Sequence, residues 1–336
     1  MRVVKAEMLW TRRCPLHCEY CAMVDGRSNS QDIDFWQQTA KALANLGCGF
    51  AAFYGAEPLV EDIDKLGATI QAFEEAGIKT TIITSGCVPD FEHKLDVLYN
   101  YGLRSLSMSY DIVPLGPSSK AKSSKAISHL VDWLKRDNIR DAAAIATLTR
   151  TNFRYLPDSI QELDKLGIWT FFDMIHNDRG QEGCKVRDTF STRDLMFREE
   201  DMLDLKYTLI EVSKLKMKGC RCHSSNQFLD LICRENFEHL KSYNWNCARH
   251  RSFPAWLTID CDGRVYPCDD FQPHGEAENE IWMANKIDQK FESFSSWMKE
   301  KTLEKCPGCL WNTHYDAHMI KEGKIPFSNY VHTKEK

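Results

Sequence analysis

Apolar positions along this chain follow two alternating rhythms. Amphipathic stretches with a helical period stop at Gly47, Gly77, Gly102 and Gly167, and a short apolar run follows each glycine closely. The runs occupy residues 50–54, 78–84, 103–110 and 168–175. Another run, 139–148, follows the helical stretch around 126–134, with Asn138 standing where glycine stands elsewhere. Glycine and asparagine tolerate the left-handed backbone that closes a helix, so the pattern is a helix stop followed by a strand start. Within residues 61–76, Ile63, Leu66, Ile70 and Phe73 share one stripe, and Ile160, Leu163 and Leu166 do the same later.

Units of roughly 25–36 residues with this alternation predict βα repeats on a parallel sheet. With a first strand over residues 3–10, the count reaches six strands by residue 175. Six such units make either a doubly wound sheet or a partial barrel, and the pattern fits both. From residue 176 the rhythm stops. Residues 176–198 are polar, with Gly180 and Gly183, and predict a loop or lid; helices are predicted over 199–218 and 225–241.

Composition narrows the class. Hydrophobic content of 43% and charged content of 27% are ordinary for a globular domain, and no apolar stretch is long enough to span a membrane. Charges occupy the first residues where a signal peptide would be apolar, which predicts a cytoplasmic protein. The net charge is −5, with Lys and Arg scattered, which argues against a nucleic-acid partner. Fourteen cysteines in a reducing compartment point to metal ligands or reactive thiols rather than disulfides.

Three of them, Cys14, Cys18 and Cys21, are spaced C-x3-C-x2-C. A zinc site closes its tetrahedron with four ligands, whereas an iron–sulfur cubane held by three thiolates keeps one iron open. The run Cys-Pro-Leu-His-Cys-Glu-Tyr-Cys resembles the cluster loop of the radical S-adenosylmethionine (SAM) superfamily. That resemblance implies a partial (β/α)6 TIM-like barrel, SAM on the open iron of a 4Fe–4S cluster, an electron donor such as flavodoxin or ferredoxin, and a 5′-deoxyadenosyl radical. After the second strand, Gly55-Ala56-Glu57-Pro58 resembles the family's Gly-Gly-Glu-Pro motif, which presents backbone groups and a carboxylate to the methionine ammonium of SAM. By the same resemblance Ser85, in Thr84-Ser85-Gly86 where the family often has Thr-Asn-Gly, binds the cofactor, Ser109 and Asp111 at the end of strand four lie near the ribose and carboxylate of SAM, and Tyr20 lies near its adenine. Strand-end polar residues that cap the following loop are the structural alternative.

A second set comprises Cys247, Cys268, Cys306 and Cys309, with a hairpin predicted to turn at Asp262-Gly263. It resembles the auxiliary-cluster module called SPASM. No cysteine follows Cys309, and Tyr315 and Met319 stand where two more would be, so the shorter form, twitch, with one auxiliary 4Fe–4S cluster, is implied. A structural zinc site is the alternative for four such cysteines. Cys48, Cys87, Cys184, Cys220, Cys222, Cys233 and Cys261 remain, most of them expected as small buried residues. In Cys220-Arg221-Cys222-His223 the adjacent cation would lower a thiol pKa, which makes Cys222 or Cys220 a candidate hydrogen donor to a substrate radical; a helix-linking turn is the alternative.

The chain then divides into a radical SAM barrel (1–198), a helical linker (199–245), an auxiliary-cluster domain (246–325) and a polar tail (326–336). The expected reaction is hydrogen abstraction from a small molecule, a carbohydrate or aminocyclitol, giving oxidation or epimerisation. The cluster loop begins at residue 14, leaving no room before it for the N-terminal winged-helix domain by which many relatives recognise a leader peptide. Modification of a ribosomal peptide or of RNA, and a non-enzymatic cysteine-rich zinc protein, are the alternatives.

Overall fold

The computed structural model describes residues 2–18, 21, 23–113, 117–175, 194–234, 246–268, 282–306 and 312–329. Tyr20, Cys184, Cys309, residues 176–193 of the expected lid and the end of the helix expected over 225–241 lie outside the described residues. The first half runs β1 (Lys5–Thr11), α1 (Ile33–Asn45), β2 (Phe50–Gly55), α2 (Ile63–Glu75), β3 (Lys79–Thr84), α3 (Phe91–Asn100), β4 (Ser105–Ser109), α4 (Pro117–Leu134), β5 (Asp141–Leu148), α5 (Leu156–Lys165) and β6 (Trp169–Met174). The four glycines expected to stop helices have positive φ, and Asn138 takes φ 53° in their place. After β6 come α6 (Met202–Met217), α7 (Asn226–Arg234), a hairpin of β7 (Trp256–Ile259) and β8 (Val265–Tyr266), then α8 (Ile287–Lys305) and α9 (Asn312–Lys321).

Strands β1 to β6 are parallel and pair in sequence order. β6 does not pair with β1, so the sheet is a partial barrel and not a closed one. Alternate residues face opposite sides of a strand. On β1 one side carries Ala6, Met8 and Trp10, which pack under the helices: Trp10 meets Trp36 of α1 at 5.2 Å and Phe53 at 5.9 Å, and Phe53 meets Phe73 of α2 at 5.2 Å. The other side carries the buried pair Lys5 and Glu7, 3.3 Å apart, with the Tyr54 hydroxyl donating to Glu7 at 2.8 Å.

Two features of the C-terminal third differ from the sequence expectation. The hairpin assigned to a separate domain joins the barrel sheet, because β7 pairs in parallel with β1, with Lys5 opposite Trp256 and Glu7 opposite Thr258. Pairing between strands so far apart in sequence leaves no local pattern to read. Residue 327 is also no part of a free polar tail. Phe327 packs with Phe50, Ala52 and Ile83, and a Cβ at Gly49 would sit 2.4 Å from its ring, so this glycine makes room for the aromatic.

Helix α9 meets both β6 and β7. The Asn312 N–H donates to Asp173 of β6 at 3.0 Å, and His314 meets Trp256 of β7 at 4.5 Å between ring centres. It is tied to the start of α7 by Asp316, which accepts from the N–H and hydroxyl of Ser225. Burial pushes the Asp316 carboxyl from 3.8 up to about 7, against the pull of those hydrogen bonds. A carboxyl raised on folding costs stability once ionised. The cost is absent below about pH 4, grows as pH rises and is complete above about pH 7. Asp316→Asn keeps an acceptor for Ser225 and carries no charge. Its melting temperature should therefore rise relative to wild type as melts move from about pH 5 to about pH 8. A pH-independent difference would refute this assignment.

Candidate active site at the C-terminal edge of the sheet

Ligand sites of open α/β sheets form where the carboxyl ends of parallel strands release their loops. Here the loop after β1 is pinched at its base. The Arg12 N–H donates to the Arg27 carbonyl at 2.7 Å, and the Arg12 carbonyl accepts from Asp25 and Gly26 at 3.1 Å each. Between these points stand Cys14, Cys18 and Cys21, all free and half-buried. The Leu16 N–H approaches the Cys14 sulfur at 3.4 Å, and the Cys21 N–H donates to the Cys18 carbonyl at 3.1 Å. Burial pushes the Cys14 thiol up to about 11 and raises Cys18, which Lys122 partly opposes. Iron binds thiolates, so loading these sulfurs releases protons.

Among the described residues no three His, Cys, Asp or Glu side chains gather tightly enough to hold one metal ion. A cubane makes a different demand, since each thiolate takes a separate iron. Three half-buried sulfurs in one loop at the strand ends fit that donor set.

The 55–58 segment is stitched to the root of this loop. The Ala56 N–H donates to the Thr11 carbonyl and the Glu57 N–H to the Arg13 carbonyl, each at 2.9 Å. Gly55 has φ 141°, and a Cβ there would lie 2.3 Å from the Thr11 carbonyl oxygen, so a side chain is excluded by both sterics and backbone. Pro58 is buried and opens a short 3₁₀ turn.

Glu57 corrects the sequence expectation. It is fully buried, and its carboxylate accepts from the Thr84 hydroxyl at 2.7 Å, the Leu59 N–H at 3.2 Å, and the Ser85 N–H and hydroxyl at 2.8 and 2.6 Å. Four donors saturate a carboxylate. Glu57 therefore clamps β2 to the end of β3 instead of facing a ligand ammonium, and Ser85, itself buried, spends its hydroxyl on that clamp and accepts from the Cys87 N–H at 3.2 Å. Cys87 is half-buried, and burial raises its thiol.

At the end of β4, Ser109 is half-buried and Asp111 is buried. The Asp111 carboxylate accepts from the Ser119 hydroxyl and pairs with Lys122 at 2.9 Å, while its N–H donates to Ser123 at 2.8 Å. The Ser118 hydroxyl accepts from the His17 N–H at 3.4 Å, so the first turns of α4 seat against the cysteine loop. Sequence reasoning missed Ser118, Ser119 and Lys122. Their signal was present: Ser119, Lys122 and Ser123 fall at i, i+3 and i+4, one helical face directly after an acidic strand end.

In the second cysteine set, Cys247 lies in a short 3₁₀ turn and Cys306 caps α8. Asn246 links them: its side-chain carbonyl accepts from the Ala248 N–H at 2.9 Å, and its amide donates to the Cys306 carbonyl at 3.2 Å. Burial raises the Cys247 thiol, and Cys306 is near enough to raise it further. Cys268 is half-buried, two residues beyond β8.

Cys220 and Cys222 do not meet this edge. Cys222 bridges in parallel to Thr170, one residue into β6, and Thr170 lies four residues before the strand end at Met174. At about 3.3 Å per residue, that is roughly 13 Å below the strand ends. Cys222 is buried among Ala146, Leu148 and Phe172, and burial raises its thiol. Arg221, expected to lower that pKa, spends its guanidinium on Asp164 at 2.8 Å. Cys220 follows the C-terminus of α6, its N–H bonded to Leu215. A helix-linking segment laid on the edge of β6 describes both cysteines.

A family model described as the radical SAM superfamily matches residues 8–115. The PqqA peptide cyclase of Methylorubrum extorquens strain PA1 is 34% identical over 313 residues, covering 86% of this chain and 74% of the relative. Among solved structures, Streptococcus suis SuiB bound to S-adenosylmethionine superposes with a TM-score of 0.59 at 15% identity, covering 86% of this chain and 65% of SuiB. This chain thus spans slightly less than two thirds of the SuiB length. The structure of anSMEcpe with bound AdoMet gives a TM-score of 0.58 at 13% identity, covering 95% of this chain and 97% of anSMEcpe. The chain belongs to the radical SAM superfamily. It is a radical SAM enzyme, and its cofactors are a 4Fe–4S cluster and SAM. Among the described residues no helix is long and apolar enough to cross a membrane.

Proposed function

We propose that this radical SAM enzyme modifies a peptide, forming a new bond within it, and does not act on a small metabolite. The supporting observation is the extent of likeness to a PqqA peptide cyclase, 34% identity along 86% of this chain. Two proteins of the same fold have also been seen with peptides, SuiB with its precursor peptide SuiA and anSMEcpe with the Cp18Cys peptide. The carbohydrate or aminocyclitol expected from the sequence has no comparable support.

In this reading Cys14, Cys18 and Cys21 would hold the 4Fe–4S cluster to which SAM binds. When bound, that pair supplies a 5′-deoxyadenosyl radical, which removes a hydrogen atom from the substrate. The backbone of Gly55 and Ala56 lines the SAM site, kept in register by Thr11 and Arg13. Ser109 and Asp111 sit at the same edge, where the buried Asp111–Lys122 pair fixes the roof made by α4. Tyr20, outside the described residues, is proposed by the family resemblance as the aromatic that meets the adenine of SAM. Cys247, Cys268, Cys306 and Cys309 hold an auxiliary cluster, and an external flavodoxin or ferredoxin supplies electrons.

Anaerobic enzyme with SAM and dithionite would be given two fractions of a source-cell extract, one of peptides and one of small metabolites. The expected result is release of 5′-deoxyadenosine with the peptide fraction, abolished by prior protease digestion, and a peptide product lighter by two hydrogens: one would leave in 5′-deoxyadenosine, and the other as a proton to solvent with its electron accepted by the auxiliary cluster. Release with the metabolite fraction that survives protease would overturn the peptide reading, and sensitivity to ribonuclease would move it to RNA.

A further inference from the structure

We propose that Asp260 is a positioning residue for the radical-generating loop: by gripping Arg12 and Arg27 it lets the β7–β8 hairpin set the pose of Cys14, Cys18 and Cys21. The inference rests on family membership and not on the identity of the substrate.

Arg12 and Asp260 are separated by 248 residues and are each 1% exposed. The guanidinium meets the carboxylate through two parallel hydrogen bonds, Nε to Oδ1 at 3.1 Å and a terminal nitrogen to Oδ2 at 3.2 Å. Arg27 adds a third contact, 3.1 Å to Oδ2, while two of its nitrogens hold Asp25 at 3.0 and 2.9 Å. Arg12 and Arg27 are the two ends of the cysteine loop, the residues whose backbones pinch its base. One carboxylate on the hairpin therefore holds both ends of the loop.

The hairpin turn is itself a stiff reference. The Cys261 N–H donates to Asp260 Oδ1 at 2.9 Å, and the Gly263 N–H to the Asp260 carbonyl at 2.8 Å. A Cβ at Gly263 would lie 2.5 Å from the Phe35 ring, so α1 packs hard against the turn. The chain beyond the cysteine loop returns to the same turn, with Gln31 donating to the Asp262 carbonyl at 2.8 Å.

Desolvating two charges makes a buried ion pair a poor way to add stability, and apolar packing commonly does as well. What a bidentate arginine–carboxylate pair adds is direction, because the planar fork accepts its partner in one orientation. Cys268 leaves the same hairpin two residues after β8, so the two cysteine sets share this turn as a common mount.

The test compares wild type, Asp260→Asn, Asp260→Ala, Arg12→Lys and the exchange Arg12→Asp with Asp260→Arg. In iron-free protein, the rate at which iodoacetamide modifies Cys14, Cys18 and Cys21 would be followed by peptide mass spectrometry. In reconstituted enzyme, the KM for SAM and the maximal rate of SAM cleavage would be measured, with the change in the reduced cluster's EPR spectrum on adding SAM. Small displacements of reacting groups carry large rate penalties. We expect alkylation and the KM for SAM each to rise about tenfold in Asp260→Asn and Arg12→Lys, with a weakened SAM-induced EPR change. The exchange should recover part of each. Wild-type alkylation, KM and EPR response alongside a lowered melting temperature would overturn the proposal and leave the pair a strut. Should Asp260→Ala fail to fold, the two conservative variants decide between these outcomes.

Discussion

Replacing Cys14, Cys18 and Cys21 together by alanine should halve the iron of the reconstituted enzyme, from about eight atoms per chain to about four. SAM cleavage should fall below detection. These are the three sulfurs of one pinched loop at the strand ends, and without them no cluster is retained there to offer an open iron to SAM or to pass on the initiating electron. The remaining four atoms would sit on Cys247, Cys268, Cys306 and Cys309. Elemental iron, sulfide and zinc counts on both proteins check this. Four iron with one zinc in wild type would keep the radical chemistry and assign the second set to zinc, whereas unchanged iron in the variant would refute the loop as the cluster site.

Glu57→Ala should be the most damaging substitution that touches no metal ligand. It would strand the Leu59 and Ser85 N–H groups and two hydroxyls in a site with no exposure. Each buried donor left unsatisfied costs roughly 1–3 kcal/mol, so a combined loss of about 3–5 kcal/mol is expected, less than the sum because the donors share one acceptor group. Since Glu57 ties β2 to β3 next to the Gly55–Ala56 backbone, the KM for SAM should rise in any surviving protein. Glu57→Gln should fall between the two, as one of its atoms donates where the native oxygen accepts. Chemical denaturation and SAM titration measure both effects. A carboxylate that faced SAM, as the tetrapeptide alone suggests, would give a different result: weakened SAM binding at unchanged stability.

Much of this enzyme was legible before folding because its signals are local. Helix stops at Gly47, Gly77, Gly102, Asn138 and Gly167 depend on one residue's backbone freedom, and all five take the expected positive φ. Six strand positions followed from period and spacing, and each lies within a residue or two of its observed place. The three-cysteine loop was readable because all its ligands come from one short segment. The serine and lysine face of α4 was equally local and was overlooked, since no motif drew attention to it.

Cys222 beside Arg221 has the composition of an activated thiol, yet Asp164 takes the arginine and the register of β6 puts the cysteine at the wrong end of the sheet. The peptide substrate proposed above rests on similarity along the whole chain, which no single motif carries.

By itself, then, the sequence determined the βα repeat, the sites where helices end and the presence of a radical-generating cysteine loop, because neighbours along the chain decide these. Tertiary structure alone decided that Glu57 turns to Thr84 and Ser85, that β7 lies beside β1, and that Asp260 closes on Arg12. In each case a side chain or strand is satisfied by a partner that only folding brings within reach, and burial makes that partner obligatory.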